Sequence, residues 1–415
     1  MKLIADFHLH SKYSRATSRD MDLENLDKWA RIKGIKILGT GDFTHPEWFK
    51  NLKEKLEPAE PGLFKLKNSL SETRFLLTSE ISCVYSKKGK VRKIHIIIFA
   101  PSFDVVEKIN VQLGWIGNLK SDGRPILGLD AKELAKIVLG VSEDCLVIPA
   151  HAWTPWFAIF GSKSGFDSIE ECFEEYSKYI YSIETGLSSD PLMNWRLSSL
   201  DKITLISNSD SHSPQKIGRE ANVFDTELSY SAIIEAIKTK NPQKFLYTIE
   251  FYPEEGKYHY DGHRNCGIRL SPKETKKYNG ICPICGRPLT VGVLNRVEVL
   301  SDREEGFQPE GAIPFKSLVP LEEIIADVFG VMSGTKQVKE EYENLIKKFG
   351  NEFKILLEIS REDLETATLP EITEGLIRVR EGKVFIEPGY DGVYGKVRIF
   401  SQGEQKTLSK QDTLF

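Results

Sequence analysis

The hydrophobic pattern of this 415-residue chain is dominated, over its first half, by short apolar runs bounded by polar residues. Runs of this length predict buried strands. They lie at residues 3–5, 36–38, 75–78, 94–99, 146–149, 180–183 and 204–207. Between several of them apolar residues recur at helical spacing, at residues 22–33, 131–138 and 168–179. Strands that alternate with helices predict an α/β fold with a parallel sheet.

Histidines and acidic residues stand in or beside the ends of most of these predicted strands. They are His8, His10, Asp42, His45, Glu80, His95, His151, Asp210 and His212. Reactive side chains placed repeatedly at strand ends are typical of a β/α barrel, whose active site lies at the C-terminal ends of its strands. Seven strands instead of eight predict an irregular barrel.

These side chains are of the kinds that bind transition metals. His8 and His10 are two residues apart on an extended chain, so both imidazoles point the same way. Six of the eight histidines lie in or beside the ends of predicted strands. Histidines placed singly in a core or on a surface would not show this pattern. Imidazole and carboxylate ligands at this density predict two or three zinc or manganese ions in the barrel. Glu184 also ends a predicted strand, where it either orients a ligand histidine from behind or begins a helix.

A second candidate metal site lies after the predicted barrel, whose pattern is interrupted at residues 251–257. It consists of His263, Cys266, Cys282 and Cys285. Each pair encloses two residues and 15 residues separate the pairs, which is the spacing of a four-ligand structural zinc knuckle. His259 is close enough to replace the histidine of this set, and buried cysteines without a metal are the alternative interpretation.

Composition and charge narrow the class of protein. Hydrophobic residues make up 40% and charged residues 28% of the chain, as in soluble globular proteins. The formal net charge of −4 does not by itself indicate a nucleic-acid-binding protein. No apolar run reaches the roughly 20 residues that a membrane-spanning helix needs, and no secretory signal is visible. The cysteines form no disulfide framework, so we expect a cytoplasmic protein without a membrane partner.

Two predicted loops carry side chains suited to nucleic acid. The first loop follows His151 and contains three aromatic residues, Trp153, Trp156 and Phe157. These rings either stack on a base or pack together as a small hydrophobic lid. The second loop is a basic turn that contains Lys88, Lys90 and Arg92. Its cations either contact phosphates or remain solvated.

The C-terminal third of the chain contains no catalytic motif. Residues 321–329 and 338–349 have the periodicity of amphipathic helices. Residues 376–379 and 383–386 flank a short polar turn and predict the two strands of a hairpin. We therefore expect a mostly helical region that supports the barrel without adding catalytic groups.

The chain divides into four predicted regions. They are a metal-dependent catalytic barrel at residues 1–255, a zinc-binding module at 256–300, a helical and hairpin region at 301–400 and a disordered tail at 401–415. The tail is polar, and its Gln411 and Leu414 match the start of a sliding-clamp-binding box. It either binds a sliding clamp through these residues or has no partner.

The ordered ligand motifs resemble those of the PHP (polymerase and histidinol phosphatase) superfamily. The matching segments are Asp6-x-His8-x-His10-Ser11, Thr40-Gly41-Asp42, Glu80, His95, His151 and Asp210-x-His212, within residues 1–250. The resemblance implies a distorted seven-stranded (β/α)7 barrel and a metal cluster that hydrolyses phosphate esters. It also implies that Glu80 bridges metals and that Asp210 and His212 close the site.

The chain departs from the commoner PHP pattern at two places. The usual adjacent Asp-His pair is here Asp42 and His45, three residues apart. A further histidine that many members carry shortly after the first motif is absent, and only Arg15, Asp20 and Asp22 lie nearby. Whether two or three ions bind therefore stays open.

Within this superfamily, the whole arrangement resembles the endonuclease Q family of archaeal and bacterial DNA-repair nucleases. The resemblance rests on the string Thr-Gly-Asp-Phe-Thr-His-Pro-Glu-Trp at residues 40–48, the two ligand pairs and the helical C-terminal region. It implies incision of DNA immediately 5′ of a deaminated base (uracil, hypoxanthine or xanthine) or of an abasic site. On this interpretation DNA is the partner, and we assign catalysis to Glu80, His151 and Asp210.

Two other functions fit parts of the sequence. A small-molecule phosphatase of the PHP type needs the barrel but neither the zinc knuckle nor the C-terminal region. A DNA-binding scaffold would use its barrel metals for structure alone, with every coordination position filled by protein ligands. Nine potential ligands for two or three ions leave positions open, which favours an enzyme.

Overall fold

The computed structural model of the chain describes residues 1–401, 403 and 404. Its strands are β1 (Lys2–Asp6), β2 (Ile37–Gly39), β3 (Leu56–Pro58), β4 (Phe64–Leu66), β5 (Arg74–Lys87), β6 (Lys90–Ala100), β7 (Ile126–Leu127), β8 (Leu146–Pro149), β9 (Ser182–Glu184), β10 (Thr204–Ile206), β11 (Ala221–Asp225), β12 (Phe245–Glu250), β13 (Asp261–His263), β14 (Ile268–Leu270), β15 (Phe315–Ser317), β16 (Phe385–Glu387) and β17 (Lys396–Arg398). Its α-helices are α1 (Leu23–Lys33), α2 (Pro46–Lys55), α3 (Phe103–Gly114), α4 (Ala131–Val141), α5 (Ile169–Phe173), α6 (Pro191–Asn194), α7 (Tyr230–Thr239), α8 (Pro272–Lys277), α9 (Val293–Leu300), α10 (Leu321–Phe329), α11 (Lys336–Phe349), α12 (Glu352–Leu357), α13 (Arg361–Glu365) and α14 (Pro370–Arg380). Most strands lie before residue 251, whereas α10–α14 follow one another directly.

The seven predicted strands are all present, but they do not form the wholly parallel sheet that the sequence predicted. β2 pairs in parallel with both β1 and β5, and β9 pairs in parallel with β10. β6 runs antiparallel to both β5 and β8. β5 and β6 are joined by a two-residue turn at Lys88 and Gly89, both with positive φ. A connection this short reverses the chain direction, which is why the pair is a hairpin.

The largest sheet extends beyond the predicted strands. β11 pairs antiparallel with β1, β12 pairs antiparallel with β11, and β15 pairs in parallel with β12. β1 is therefore an interior strand, and its Leu3 and Ala5 are fully buried, as the apolar run predicts. This arrangement places the end of β1, which leads to His8 and His10, in the middle of the sheet.

Helix α1 shows how the sequence determines the bounds of a helix that covers the sheet. Asp22 accepts a hydrogen bond from the backbone N–H of Asn25 and so caps the first turn. Gly34 follows the last residue with a φ of 88°, a left-handed conformation that glycine adopts without strain. Leu23 and Leu26 lie on the buried face, so the helix packs against the core through one side.

The two predicted C-terminal helices are confirmed as α10 and α11. The predicted hairpin strand at residues 376–379 is wrong, because these residues lie within α14. Ile372, Leu376 and Val379 are buried at spacings of four and three residues, which is the pattern of a helix that packs on one side. The hairpin of this region is formed instead by β16 and β17.

The described part of the chain ends against α14, where Arg378 Nη2 lies 2.9 Å from Glu404 Oε1. Residues 402 and 405–415 lie outside the described residues. The clamp-binding prediction for Gln411 and Leu414, and most of the predicted tail, fall there. Over the described residues, no helix combines the length and the apolar character that crossing a membrane requires.

A buried ion pair joins α1 to the C-terminal helices. Lys33 Nζ lies 2.6 Å from Glu352 Oε2, and the two side chains are only 7% and 5% exposed. The Tyr342 hydroxyl donates to the same oxygen at 2.6 Å, and the backbone N–H of Leu321 donates to Oε1 at 3.2 Å. Both carboxylate oxygens therefore have partners, which is the condition under which burying two charges is tolerated.

Replacing Lys33 by methionine removes the countercharge and leaves the Glu352 carboxylate buried. We expect the free energy of unfolding to fall by about 3–5 kcal/mol. Lys2→Met is the matched control, because Lys2 pairs with Glu358 at the surface, where such pairs contribute about 0–1 kcal/mol. Chemical denaturation followed by circular dichroism measures both changes, and equal midpoint shifts for the two variants would contradict the prediction.

Candidate metal centre

The loops after β1 and β10 meet and bring the first candidate ligands together. Leu9 and Ser211 form a parallel bridge, with the backbone N–H of His10 donating to the Ser211 carbonyl at 3.0 Å. Asp210 is thereby placed beside the two histidines, its Oδ1 3.1 Å from His10 Nε2 and 3.6 Å from His8 Nε2. Pairing between the two loops, rather than either strand alone, creates this contact.

Glu80 lies between two groups of candidate ligands. Its Oε2 is 3.5 Å from His8 Nε2 and 3.3 Å from His10 Nε2. Its Oε1 is 2.8 Å from His95 Nδ1 and 3.1 Å from His151 Nε2. The first group consists of His8, His10, Glu80 and Asp210, and the second of Glu80, His95 and His151. Within each group the ligand atoms lie within 4.8 Å of one another.

The charges of this cluster favour a cation. Burial raises the pKa of Glu80, but His95, Arg124 and His8 together lower it well below its ordinary value. Burial likewise opposes ionisation of Asp210, yet His8 and His10 lower its pKa. Both carboxylates therefore remain ionised at neutral pH, and their negative charges converge on the imidazole nitrogens.

The donor atoms fit a divalent metal. His8 Nε2 is buried and has no hydrogen-bond partner, although two carboxylates surround it. Burial also lowers the pKa of His95 to about 4, although the Glu80 carboxylate opposes this effect. Imidazole nitrogens and carboxylate oxygens are the ligands that zinc and manganese accept. An unpaired buried nitrogen facing ionised carboxylates is the arrangement expected of a metal site.

Two buried carboxylates hold the first histidines from behind. Asp42 Oδ1 lies 3.0 Å from His10 Nδ1, and Asp42 Oδ2 accepts the backbone N–H of Ser11 at 2.6 Å. Glu184 Oε1 lies 3.0 Å from His8 Nδ1, and its Oε2 accepts the backbone N–H of His151 at 2.8 Å. These contacts turn the Nε2 atoms toward the centre, as outer carboxylates do in metal sites. Asp42 thus lies behind His10 and outside both ligand groups.

The structure brings neither His45 nor His212 into the two groups. The ring of His45 stacks on Tyr13 at 4.5 Å between centroids, and its Nδ1 is buried without a hydrogen-bond partner. The ring of His212 lies 4.7 Å from that of His10, and its Nδ1 lies 2.8 Å from the Asp210 carbonyl oxygen. His212 therefore borders the first group, whereas His45 packs on Tyr13 outside both groups.

Arg124, which no sequence pattern singled out, contacts the centre directly. Its Nη1 lies 3.0 Å from Glu80 Oε2, and its side chain is 26% exposed. It belongs to the irregular segment between α3 and β7, where no periodicity or spacing could single it out. Glu80 raises the pKa of the Arg124 guanidinium, and Asp210 adds to this effect.

The loop that follows His151 has one buried and one exposed tryptophan. Trp153 is buried against Phe160, with 4.8 Å between ring centroids, as the lid interpretation predicts. Trp156 is 51% exposed, and the Lys93 ammonium lies 5.0 Å from its ring. Phe157 lies 4.6 Å from the ring of His95. The loop therefore reaches the second ligand group and presents one ring to solvent.

The three cations of the basic turn differ in their exposure to solvent. Lys88 and Lys90 are exposed at the tip of the β5–β6 hairpin. The Arg92 guanidinium stacks on Phe166 at 4.0 Å and donates to the Gly165 carbonyl. Arg92 is therefore occupied by contacts within the protein, whereas the two lysines are accessible.

The four residues of the predicted knuckle lie together, two of them on the β13–β14 hairpin and two on the turn after α8. Their ligand atoms are within 4.8 Å of one another, and Cys285 Sγ is 3.5 Å from His263 Nδ1. Burial raises the pKa of the Cys282 thiol, but hydrogen bonds from the backbone N–H groups of Cys285 and Ile284 outweigh this effect and lower the pKa to about 7. His259 is buried and lies outside this group.

Two solved structures align with nearly the whole chain. The crystal structure of the lesion-specific endonuclease PfuEndoQ from Pyrococcus furiosus has a TM-score of 0.86 and 29% identity, and the alignment covers 98% of this chain and 99% of that one. A crystal structure of Endonuclease Q in complex with a 27-mer duplex substrate, with an abasic lesion at the active site, has a TM-score of 0.83 and 30% identity. Here the alignment covers 97% and 98% of the two chains.

Sequence comparisons add a match in the C-terminal region. A model of the MJ0043 C-terminal domain family matches residues 320–383. Protein MJ0043 of Methanocaldococcus jannaschii is 33% identical over 309 residues, which cover 70% of this chain. The chain spans only 37% of the length of that relative.

The position of Glu80 between the groups predicts unequal effects of removing ligands. Glu80→Ala takes a ligand from both groups, whereas His95→Ala takes one from the second group only. We expect Glu80→Ala to weaken binding of every Mn²⁺ ion at the centre by about tenfold or more, and His95→Ala to leave one ion bound. Mass spectrometry of metal content after gel filtration measures this, and equal losses in both variants would contradict the shared role of Glu80.

Proposed function

The chain belongs to the endonuclease Q family and is a metal-dependent nuclease, and from that premise we propose that it repairs DNA by hydrolysing the phosphodiester 5′ of a lesion. The lesions are deaminated bases (uracil, hypoxanthine and xanthine) and abasic sites. The observation that carries this proposal is the pair of ligand groups that share Glu80. These groups occur in a chain that aligns over 97% of its length with an endonuclease bound to a lesion-containing duplex.

In this proposal β1, β2, β5, β6, β8, β9 and β10 form a distorted seven-stranded barrel that occupies residues 1–255. Two asparagines support closure between the first and last of these strands. Asn208 Oδ1 accepts the backbone N–H of Phe7 at 2.9 Å, and Asn222 bonds both the N–H and the carbonyl of Ser207. The zinc-binding module at residues 256–300 and the helical region at 301–400 pack beside the barrel.

The barrel holds two or three zinc or manganese ions in this proposal. The two groups supply the inner ligands; His212 borders the first group, Asp42 supports His10 from behind, and His45 lies outside both groups. When bound, these ions supply the Lewis-acid charge that phosphodiester hydrolysis requires. Water adds to phosphorus and the 3′ oxygen of the preceding nucleotide departs, which leaves a 3′-hydroxyl and a 5′-phosphate.

The residues of the chain orient the substrate and hold the charge of the site. Glu80, His151 and Asp210 are assigned to catalysis because each provides a ligand atom, and Glu80 provides one to each group. The Asp210 side chain is 27% exposed, whereas those of His8 and Glu80 are at most 2% exposed, so the phosphate approaches from the Asp210 side. The partly exposed Arg124 adds a guanidinium suited to a phosphate oxygen.

Loops around the centre supply the contacts to DNA. Trp156 and Phe157 stack on a base or fill the space that an extruded nucleotide leaves, because aromatic rings bind unpaired bases without regard to sequence. The exposed Lys88 and Lys90 contact phosphates. Extruding the target nucleotide costs less at a weakly paired deaminated base than at an intact pair, and this difference contributes to selection of the lesion.

The knuckle formed by His263, Cys266, Cys282 and Cys285 binds one structural zinc ion in this proposal. All four side chains are already clustered, and a closed site of four protein ligands stabilises a fold without taking part in chemistry. Basic and aromatic neighbours, among them Arg264 and Tyr278, make the module a further surface for DNA.

The proposed reaction is tested with a 5′-labelled duplex that carries one deoxyuridine, deoxyinosine or abasic site, incubated with Mn²⁺ or Zn²⁺. We expect one cut immediately 5′ of the lesion and none in an undamaged duplex. Asp210→Ala should lower the cleavage rate by about a hundredfold or more, because the partly exposed ligand of the first group is lost. Absence of a cut at full metal occupancy, with hydrolysis of a simple phosphomonoester, would favour the small-molecule phosphatase.

The knuckle is tested by counting zinc. Cys285→Ser should reduce the bound zinc by one ion per chain and lower the midpoint of thermal unfolding, because zinc binding and folding of such a module are coupled. Cys145→Ser is the control for zinc content, because Cys145 lies in the core and outside the knuckle. A colorimetric chelator measures zinc release, and equal zinc content in the two variants would argue against the site.

A further inference from the structure

We propose that Arg296 is a positioning residue for DNA cleavage, through which helix α9 of the predicted zinc-binding module holds the loop that follows His151. This inference rests on the proposed function, since it concerns the same reaction. The loop is defined here as residues 152–167 and is called the aromatic loop. Arg296 touches neither ligand group, so its effect on the reaction passes through the loop.

The Arg296 guanidinium binds the end of the aromatic loop at three points. Its Nε donates to the Phe160 carbonyl at 3.0 Å, and its Nη2 donates to the Phe166 carbonyl at 3.0 Å. The same Nη2 lies 2.5 Å from Asp167 Oδ1. A planar guanidinium can satisfy several acceptors at fixed angles, which an ammonium cannot do. The contact therefore fixes the direction of the loop as well as its distance from α9.

The other end of the loop touches the second ligand group. The Phe157 carbonyl accepts the backbone N–H of His95 at 2.9 Å, and the Phe157 ring lies against the His95 ring. Thr154 Oγ1 lies 3.2 Å from His151 Nδ1. A displacement of the loop would therefore reach His95 and His151, whose imidazoles contact Glu80 through Nδ1 and Nε2 respectively.

The loop conformation needs external support. Phe157 has a φ of +63° and His151 a φ of +31°, left-handed values that residues other than glycine adopt only with backbone strain. Such residues keep these angles only where surrounding contacts determine them. The Phe157 N–H donates to Ser164 Oγ at 3.2 Å, and the three bonds from Arg296 hold the residues on either side of Ser164.

Helix α9 is itself fixed by a buried carboxylate next to the knuckle. Asp261 is fully buried, and its Oδ1 accepts the backbone N–H of Gly292, which precedes the helix, at 2.7 Å. Its Oδ2 accepts Asn295 Nδ2 at 2.6 Å. Asp261 lies two residues before His263 in β13. Folding of the knuckle hairpin thereby sets the start of α9, and α9 sets the position of Arg296.

The test compares Arg296→Ala, Arg296→Lys and a control variant, Val299→Ala. Val299 lies on α9 but is 65% exposed, so its replacement leaves the loop contacts intact. Single-turnover cleavage of an abasic duplex, metal content and hydrogen exchange of residues 152–167 are measured for each. We expect Arg296→Ala to slow cleavage by about 10–100-fold, with unchanged metal content and faster exchange in the loop. Arg296→Lys should fall between Arg296→Ala and the unchanged protein.

Unchanged exchange in the loop, or a cleavage rate within twofold of the original, would overturn the proposal for Arg296. If Arg296→Ala does not fold, Arg296→Lys and Asp167→Asn decide the question, since each weakens the contact without removing a buried side chain. If the unaltered protein cuts no lesion duplex, the proposed function fails. The exchange measurement still decides separately whether Arg296 holds the loop.

Discussion

The rest of this structure depends on the ionised Glu80 carboxylate, buried on β5 and surrounded by four imidazoles and a guanidinium. An isolated carboxylate at this depth would be protonated, because burial strongly disfavours the charged form. Here His95, Arg124 and His8 reverse that effect. Because the partners come from the loops after β1 and β8, from β6 and from the segment before β7, ionisation of one side chain requires that all these elements are in place.

A second layer of polar residues makes this arrangement specific. Asp42 and Glu184 fix the rings of His10 and His8, and Asn208 donates to Glu184 at 2.9 Å. Several residues of the centre have positive φ, among them Asp42 at 49° and Asp210 at 46°. Backbone strain of this kind is retained where surrounding contacts enforce it, and it is common at functional sites. The strands and core around the centre therefore support a local conformation that is unfavourable by itself.

The positions of the seven strands and most of the candidate ligands could be predicted because both follow from periodicity. Apolar runs mark buried strands wherever they occur, and ligands fall where such runs end. Strand direction could not be predicted, since an antiparallel β6 has the same apolar pattern as a parallel one. The positions of His45 and His212 in the sequence likewise could not show how their side chains pack. His45 stacks on Tyr13, and His212 lies beside His10. Arg124 lies in an irregular segment, where side-chain placement depends wholly on tertiary contacts.

Residue type also failed to separate rings that pack from rings that face solvent. Trp153 and Trp156 are three residues apart in one loop, yet the first is buried and the second is half exposed. Similarly, the apolar residues at 376–379 suited a short strand in isolation. Only with Ile372 included does their spacing of four and three favour the helix that the structure contains.

The first ligand group has a consequence for how the chain is assembled. Its members are residues 8, 10, 80 and 210. The group therefore forms only when the two ends of a segment of about 200 residues come together. The entropic cost of this closure grows slowly with the length of the segment. The β5–β6 hairpin, in contrast, contributes Glu80 and His95 from neighbouring positions. During synthesis on the ribosome the hairpin can form early, while the complete centre must wait until residue 210 has emerged. A cation that binds across this closure would hold the two ends of the segment together, and the polypeptide acquires its complete ligand group only after most of the surrounding fold exists.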